Sequence, residues 1–341
     1  MSLNNKTDYS IYNFLDEHIV EKGKIYSHTS MGKPTGSFFI KENELDEFYS
    51  LYQDAIFNGK KLHITEKHDD ICPIIIDLDF KYEHEIIKRQ HTEETIKKIV
   101  NIYNEIILSI LDIEPGDERL QAFVFERNDV YHVKAITKDG IHILYPNIIT
   151  SPEVQYYIRE CVLKKIVPIL EELPLTNKPY DVVDRSVIKD TNWLLYGCSK
   201  PNIDPYHLKF IYNGKLEEIG INDYQFNKNI AHFFSIRHKS EDEVIAIRED
   251  KKYLIENISL KKKNIRISKR NIIVDDYEEI IKLVSILNDE RTENYSDWIS
   301  LGWLLYNIDP NSQELLDLWI DFSRRSSKFK EGTCEKEWNK S

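Results

Sequence analysis

Residues 74–80 read IIIDLDF, an isoleucine-rich run that carries two aspartates two positions apart. Strand side chains alternate between faces, so Ile74, Ile76, Leu78 and Phe80 share one face while Asp77 and Asp79 share the other. The apolar face anchors such a strand in a sheet. The acidic face poses a problem, because neighbouring carboxylates repel each other and lose hydration unless something positive compensates them. Mg²⁺ and similar hard cations take oxygen ligands, commonly one or two carboxylates plus substrate phosphates. The run therefore reads either as a metal cradle or as a strand end where one aspartate caps a turn.

The surrounding pattern is mixed α and β. Leu45, Phe48, Tyr49, Tyr52 and Ile56 fall on one helix face. After the 74–80 strand, Thr92 caps a helix with Glu93 and Glu94 in its first turn and Ile96, Ile99, Val100, Tyr103, Ile107 and Ile110 on one stripe. LQAFVFE (120–126) and GIHILYP (140–146) read as an antiparallel strand pair with a short polar connection. Ser151 and Pro152 open another helix, and the apolar pair before Asp184 and the run WLLYG (193–197) supply further strands. Strand, helix, strand, strand, helix, strand is the order of a ferredoxin-like or RRM-like sheet.

The expected fold class is α+β: an RRM-like mixed or antiparallel sheet with flanking helices and an N-terminal α/β unit, followed by a small all-α module. The boundaries expected are 1–255 for the mixed α and β domain, 256–275 for a basic linker and 276–341 for the helical module. The linker includes LKKKNIRISKR, with Lys261, Lys262, Lys263, Arg266, Lys269 and Arg270, readable as an exposed connector or as a docking strip. In the last region Trp298, Leu301, Leu305, Leu315, Leu318, Trp319 and Phe322 are the expected core.

Composition narrows the function classes. A net charge of −12 argues against a protein that coats nucleic acid through uniform basicity, while leaving room for a local basic track. The N-terminus lacks a signal-peptide pattern, and no run approaches the ~18–20 apolar residues that span a membrane. The expectation is an intracellular protein, not secreted and without a membrane partner. Cys72, Cys161, Cys198 and Cys334 form no CxxC pair, and His63, His68 and Cys72 match no common zinc spacing, so no structural zinc is expected. GxxxxGK[ST], GxSxG and HExxH are absent.

Three further places could serve the acidic pair. His142 lies mid-strand, opposite in direction to Ile141, Ile143 and Tyr145; it is either a packed strand histidine or, preceded by Lys138 and Gly140, a phosphate donor. Asp184 follows Val182 and Val183 and is either a turn residue or a third carboxylate. Ser199 and Lys200 follow Gly197 in a turn that ordinary turn chemistry also explains.

In this order, PIIIDLDF, KDGIHILYP and VVDRSVI…NWLLYGCSKP resemble the archaeo-eukaryotic primase superfamily, in particular the primase half of helicase–primases of nucleocytoplasmic large DNA viruses. SHTSMGKPTGSFFI upstream is similar to that group, and YSDWISLGWLLYNI…LWIDFSRRSSKF…EW resembles its helical primase C-terminal module. The resemblance implies that Asp77, Asp79 and Asp184 bind catalytic Mg²⁺ or Mn²⁺ in a two-metal site. It also implies that His142 contacts the incoming nucleotide's phosphates and that Lys200 neutralises triphosphate with Ser199 beside it; Lys138 and Arg127 are further candidates. The implied activity is DNA-primase nucleotidyl transfer from NTPs or dNTPs on a single-stranded DNA template during viral replication. The implied partner is a replicative helicase domain in cis, and the implied setting is a viral factory in the host cytoplasm, or the nucleus. A primase–polymerase extending with dNTPs, a metal-dependent nuclease or relaxase, and a non-catalytic DNA-binding module are the alternatives. The family often has an arginine shortly after the position of Asn192; here Trp193, Leu194 and Leu195 follow.

Overall fold

The computed structural model describes residues 10–226, 229–237, 240–255 and 276–339. The basic strip with Lys261, Lys262, Lys263, Arg266, Lys269 and Arg270 lies outside the described residues. The chain divides into two compact units, Met1–Ile255 and Glu256–Ser341.

The first unit holds two antiparallel sheets. One is built from short strands, β1 (Ile19–Val20), β2 (His28–Ser30), β3 (Gly36–Phe38) and β4 (Ile64–Glu66), with β9 (Trp193–Leu194) added from far along the chain, in the order β1-β3-β2-β4-β9. Helices α1 (Ile11–Glu17) and α2 (Leu45–Phe57) close over it. The predicted α2 stripe of Leu45, Phe48, Tyr49 and Tyr52 is buried against Phe14, Phe38 and Ile64.

The larger sheet contains β5 (Cys72–Glu83), β6 (Ala122–Glu126), β8 (Ile136–Thr150) and β10 (His207–Tyr212) in the order β10-β6-β8-β5, with β7 (Tyr131–Val133) paired to β8. β6 and β8 pair antiparallel as expected, but their connection is not a plain polar turn: β7 folds back on the start of β8. Helices α3 (Glu93–Ile110) and α4 (Pro152–Glu171) cover one face. Ile74, Ile76, Leu78 and Phe80 pack there with Ile96, Ile99, Val100, Tyr103 and Ile107 of α3 and Val154, Ile158, Val162 and Ile166 of α4. Each such aliphatic side chain contributes on the order of 1.5–3 kcal/mol, so this face ties the acidic strand down. On the other face Ile75, Phe123, Phe125 and Leu144 pack against Trp193, Phe233 and Phe234 at one end. The polar end of that face carries Asp77, Asp79 and His142.

The second unit is helical: Asp276–Ser285, Glu290–Glu293, Tyr295–Ile308, Gln313–Ser323 and Thr333–Trp338. Leu305, Leu315, Trp319 and Phe322 are core as expected, whereas Trp298, Leu301 and Leu318 are only partly buried against it. Trp298 stacks on Trp319 at 4.8 Å and its indole N–H donates to the Ser323 hydroxyl at 2.7 Å. Gly302 lets the helices approach, since a Cβ there would meet the Trp319 ring at 2.3 Å. Gly302→Ala is expected to cost about 1–3 kcal/mol through overpacking, against a smaller helix-propensity gain. Four of the chain's five tryptophans lie in this unit (Trp298, Trp303, Trp319 and Trp338), so a thermal melt followed by tryptophan fluorescence reads that loss directly. An unchanged midpoint would show that Trp319 moves aside freely.

Candidate active site

β5 and β8 pair in a register that sets Asp77 opposite His142 and Asp79 opposite Gly140. The alternation that buries Ile76, Leu78, Ile141 and Ile143 beneath the sheet therefore gathers Asp77, Asp79 and His142 above it. Gly140 is needed for that closeness, because a Cβ there would meet the Leu78 carbonyl oxygen at 2.8 Å and the Tyr206 hydroxyl at 2.9 Å. The third carboxylate arrives beside them at the outer edge of β5. Val183 bridges Leu78, and the Asp184 N–H donates to the Asp77 carbonyl at 3.0 Å.

Asp77, Asp79 and Asp184 each offer an oxygen, and the three atoms lie within 4.8 Å of one another. Asp77 Oδ1 is buried without a hydrogen-bond partner. Burial, followed by the charges of Asp79 and Asp184, pushes the Asp77 carboxyl well above the ordinary carboxylate range, against the pull of Arg127 and Lys200. An all-oxygen donor set with an orphaned buried oxygen fits a hard divalent cation.

The carboxylates form part of a cleft of about 420 Å³ that is also lined by Arg127, Tyr131, Lys138, His142, Lys200 and Tyr206. His142 Nε2 stands 3.5 Å from Asp77 Oδ1, and the ring is sandwiched by Tyr206 at 3.6 Å and Trp193 at 4.4 Å. Burial, and then the positive charges of Arg127 and Lys200, hold the imidazole well below its usual pKa, so at pH 7 it is neutral. The Arg127 guanidinium lies 3.8 Å over the Tyr206 ring and donates to its hydroxyl at 2.6 Å. One stack thus runs from Arg127 through Tyr206 and His142 to Trp193.

Of the predicted residues, the fold brings Asp77, Asp79, Asp184, His142, Arg127, Lys138 and Lys200 to one cleft. Ser199 is buried and is not among the residues lining it; its carbonyl accepts from His63 Nδ1 at 2.6 Å. Other lining residues, Met31, Tyr131, Ser186 and Thr191 among them, were not singled out by sequence, and two groups of them shape the cleft. Tyr206 sits just ahead of β10, whose polar–apolar alternation was the available signal. The other group is the wall opposite, where Thr29 and Thr65 of the short sheet share a 2.7 Å hydroxyl contact and the Asn192 amide donates to both at 3.3 and 3.2 Å. Strands of three residues carry too little periodicity to announce it.

The chain belongs to the archaeo-eukaryotic primase (AEP) family: residues 27–212 match the family model described as "C962R protein N-terminal AEP domain". Residues 280–341 match a second model, "Primase C terminal 2 (PriCT-2)". Among curated relatives, two viral proteins each named "Putative helicase" are similar along nearly the whole chain. L207/L206 of Acanthamoeba polyphaga mimivirus is 33% identical over 375 residues, covering 96% of this chain and 38% of the relative. 184R of Invertebrate iridescent virus 6 is 23% identical over 362 residues, covering 92% and 36%. The chain spans well under half the length of these relatives. No helix among the described residues is long and apolar enough to cross a membrane.

Proposed function

We propose that this chain is the priming part of a viral replication enzyme, a nucleotidyltransferase that makes short primers on single-stranded DNA. The observation that carries the reading is the convergence of Asp77, Asp79 and Asp184 in a cleft that also presents His142, Lys138, Lys200 and Arg127. Asp77, Asp79 and Asp184 would hold Mg²⁺ or Mn²⁺. A cation bound there would supply the chemistry of lowering the pKa of a 3′-hydroxyl and offsetting charge on pyrophosphate. The protein's own share is orientation and charge. Neutral His142, locked between Trp193 and Tyr206, keeps an imidazole N–H to offer a phosphate oxygen without an added charge. Lys138, Lys200 and Arg127 neutralise a triphosphate.

The larger sheet is proposed to be RRM-like. Counting the segment at Val183 as a rudimentary strand beside β5, its order is Val183-β5-β8-β6, which is the fourth, first, third and second strands of a strand-helix-strand-strand-helix-strand unit, with β10 added at the far edge. Residues 1–255 would then be the catalytic domain, 256–275 a basic linker and 276–341 the primase C-terminal module. The relatives' names and greater length support a helicase domain in cis, working inside the infected cell, in a cytoplasmic viral factory or the nucleus. Template binding in a net acidic chain requires local cationic contacts, so affinity should fall steeply with salt.

The test is primer synthesis on single-stranded DNA with Mg²⁺ or Mn²⁺, supplying ribonucleotides alone or deoxynucleotides alone. Products that require template and metal, and that fall on the order of 10³-fold in Asp79→Asn, are expected. The nucleotide set that supports synthesis separates a primase from a primase–polymerase. Shortened DNA with no nucleotide requirement would replace the proposal with a nuclease, and wild-type product levels from Asp79→Asn would end it.

A further inference from the structure

The two aspartates of IIIDLDF sit on the edge strand of their sheet, where one side of the backbone lacks a regular ladder. Cation binding tolerates little drift in carboxylate spacing, so something must hold that edge. The segment 176–184 does so, residue by residue. The Thr176 N–H donates to the Lys81 carbonyl at 2.8 Å, and Asn177 both accepts from the Lys81 N–H at 3.1 Å and donates to the Asp79 carbonyl at 2.9 Å. Val183 bridges Leu78, and the Asp184 N–H reaches the Asp77 carbonyl. The main-chain carbonyls of both strand aspartates are thus tied to the segment that carries the third. Asp184's own carboxylate is aimed by Ser186, whose N–H and hydroxyl donate to its two oxygens at 2.8 and 2.9 Å.

Besides its bonds to β5 and the packing of Val182 and Val183 in the core, the segment is held by a buried side chain on α4. Arg159 is 2% exposed. Its Nε donates to the Val183 carbonyl at 2.9 Å and a terminal nitrogen donates to the Tyr180 carbonyl at 2.8 Å, while the guanidinium lies 4.3 Å over the Tyr180 ring. The other terminal nitrogen pairs with Glu160 at 2.9 Å. Burying a guanidinium is costly, and a planar fork fixes two carbonyls at once in a way that a flexible ammonium cannot. Here the fork holds the one short helical turn, Pro179–Val182, and the residue that follows it, immediately before Asp184.

We infer that Arg159 is a positioning residue: by fixing the 176–184 segment it sets the spacing of the three carboxylates for cation binding. The inference rests on the metal-site reading above. Groups that act on ligands from behind typically change metal affinity 10–100-fold when removed.

The test is Mn²⁺ binding without nucleotide, followed by electron paramagnetic resonance of free Mn²⁺, on the full chain. Arg159→Met should weaken binding about tenfold, Arg159→Lys should recover only part of the loss, and Asn177→Ala should weaken binding several-fold with an unchanged melting temperature. In an Asp184→Asn background the added effect of Arg159→Met should shrink below about twofold, because the residue it positions is no longer a ligand. An equal effect in both backgrounds, or wild-type affinity in Arg159→Met and Asn177→Ala, overturns the inference. If Arg159→Met fails to fold, the affinity of Arg159→Lys decides, wild-type binding overturning the inference. Wild-type binding by Asp77→Asn would instead defeat the metal-site reading itself.

Discussion

Asp77→Asn is expected to melt above wild type in EDTA, to gain nothing from Mn²⁺ or Mg²⁺, and to lose priming on the order of 10³-fold or more. Each part follows from the same three carboxylates. Their oxygens lie within 4.8 Å, and Asp77 Oδ1 is buried with no donor. Without a cation, the native state confines charges that the unfolded chain keeps apart and hydrated, so removing one relieves repulsion. A relief of roughly 1 kcal/mol raises the midpoint by about 2–4 °C for a unit of this size. Wild type recovers more when a cation binds, about 2.7 kcal/mol at a hundredfold excess over Kd, and the amide variant lacks the ligand to do so. Thermal melts in EDTA and in Mn²⁺, beside a primer assay, read all three parts. A variant that melts below wild type in EDTA yet is still stabilised by Mn²⁺ would show that Asp77 has a structural partner instead of a cation.

How much of this could be read from residues alone depends on the length of the element. β5 and β8 are 12 and 15 residues long, enough for alternation to show which side chains share a face. That is why Asp77, Asp79 and His142 were legible as co-facing groups before any register was known. Helices α2 and α3 were legible for the same reason, with the Thr92 side chain accepting from the Thr95 N–H where a cap was expected. The short sheet was not. Its strands have two or three residues, and pairing between Thr65 and Leu194 joins segments far apart in sequence. WLLYG, expected to be a strand, contributes only Trp193 and Leu194, which pair with β4 of the short sheet; the chain turns just beyond, at Gly197 with φ +81°. The polar wall of Thr29, Thr65 and Asn192 depends on that long-range pairing, so composition and periodicity could not reveal it. From its residues alone Asp184 was either a turn residue or a third carboxylate; what places it is the backbone bond to Asp77, which leaves no pattern in sequence.

That wall also makes the second large effect predictable, at a residue remote from the chemistry. Glu66, beside Thr65 on β4, is fully buried with a carboxylate surrounded by donors. The hydroxyls of Tyr49 and Ser235 lie 2.9 and 2.7 Å from Oε1, and the Ile236 N–H donates to Oε2 at 3.0 Å. Burial alone would raise its pKa; the His28 imidazole, the Ser235 hydroxyl and the Ile236 N–H outweigh it and bring the value down to about 2. Burial also lowers the pKa of His28, more than Glu66 raises it, so the pair is a carboxylate facing a neutral ring 3.6 Å away. Among the groups that lower the Glu66 pKa, His28 comes first, followed by the Ser235 hydroxyl and the Ile236 N–H. A carboxylate depressed from its ordinary 4.5 stabilises the fold fully above pH 4.5, and that stability is lost as pH falls from 4.5 toward 2. Glu66→Gln removes the charge and turns an amide donor toward groups that already donate. It should cost roughly 2–3 kcal/mol at pH 7, or about 4–12 °C in midpoint. The deficit against wild type should narrow steadily in melts taken between pH 4.5 and 3, where wild type begins to lose the same charge. Because β4 carries both Glu66 and the Thr65 hydroxyl of the cleft, the variant should also bind nucleotide more weakly even where it remains folded. A midpoint equal to wild type at pH 7, or a deficit that stays constant down to pH 3, would mean that the donors around Glu66 find other acceptors and that the short sheet is held by its apolar contacts with α2 alone.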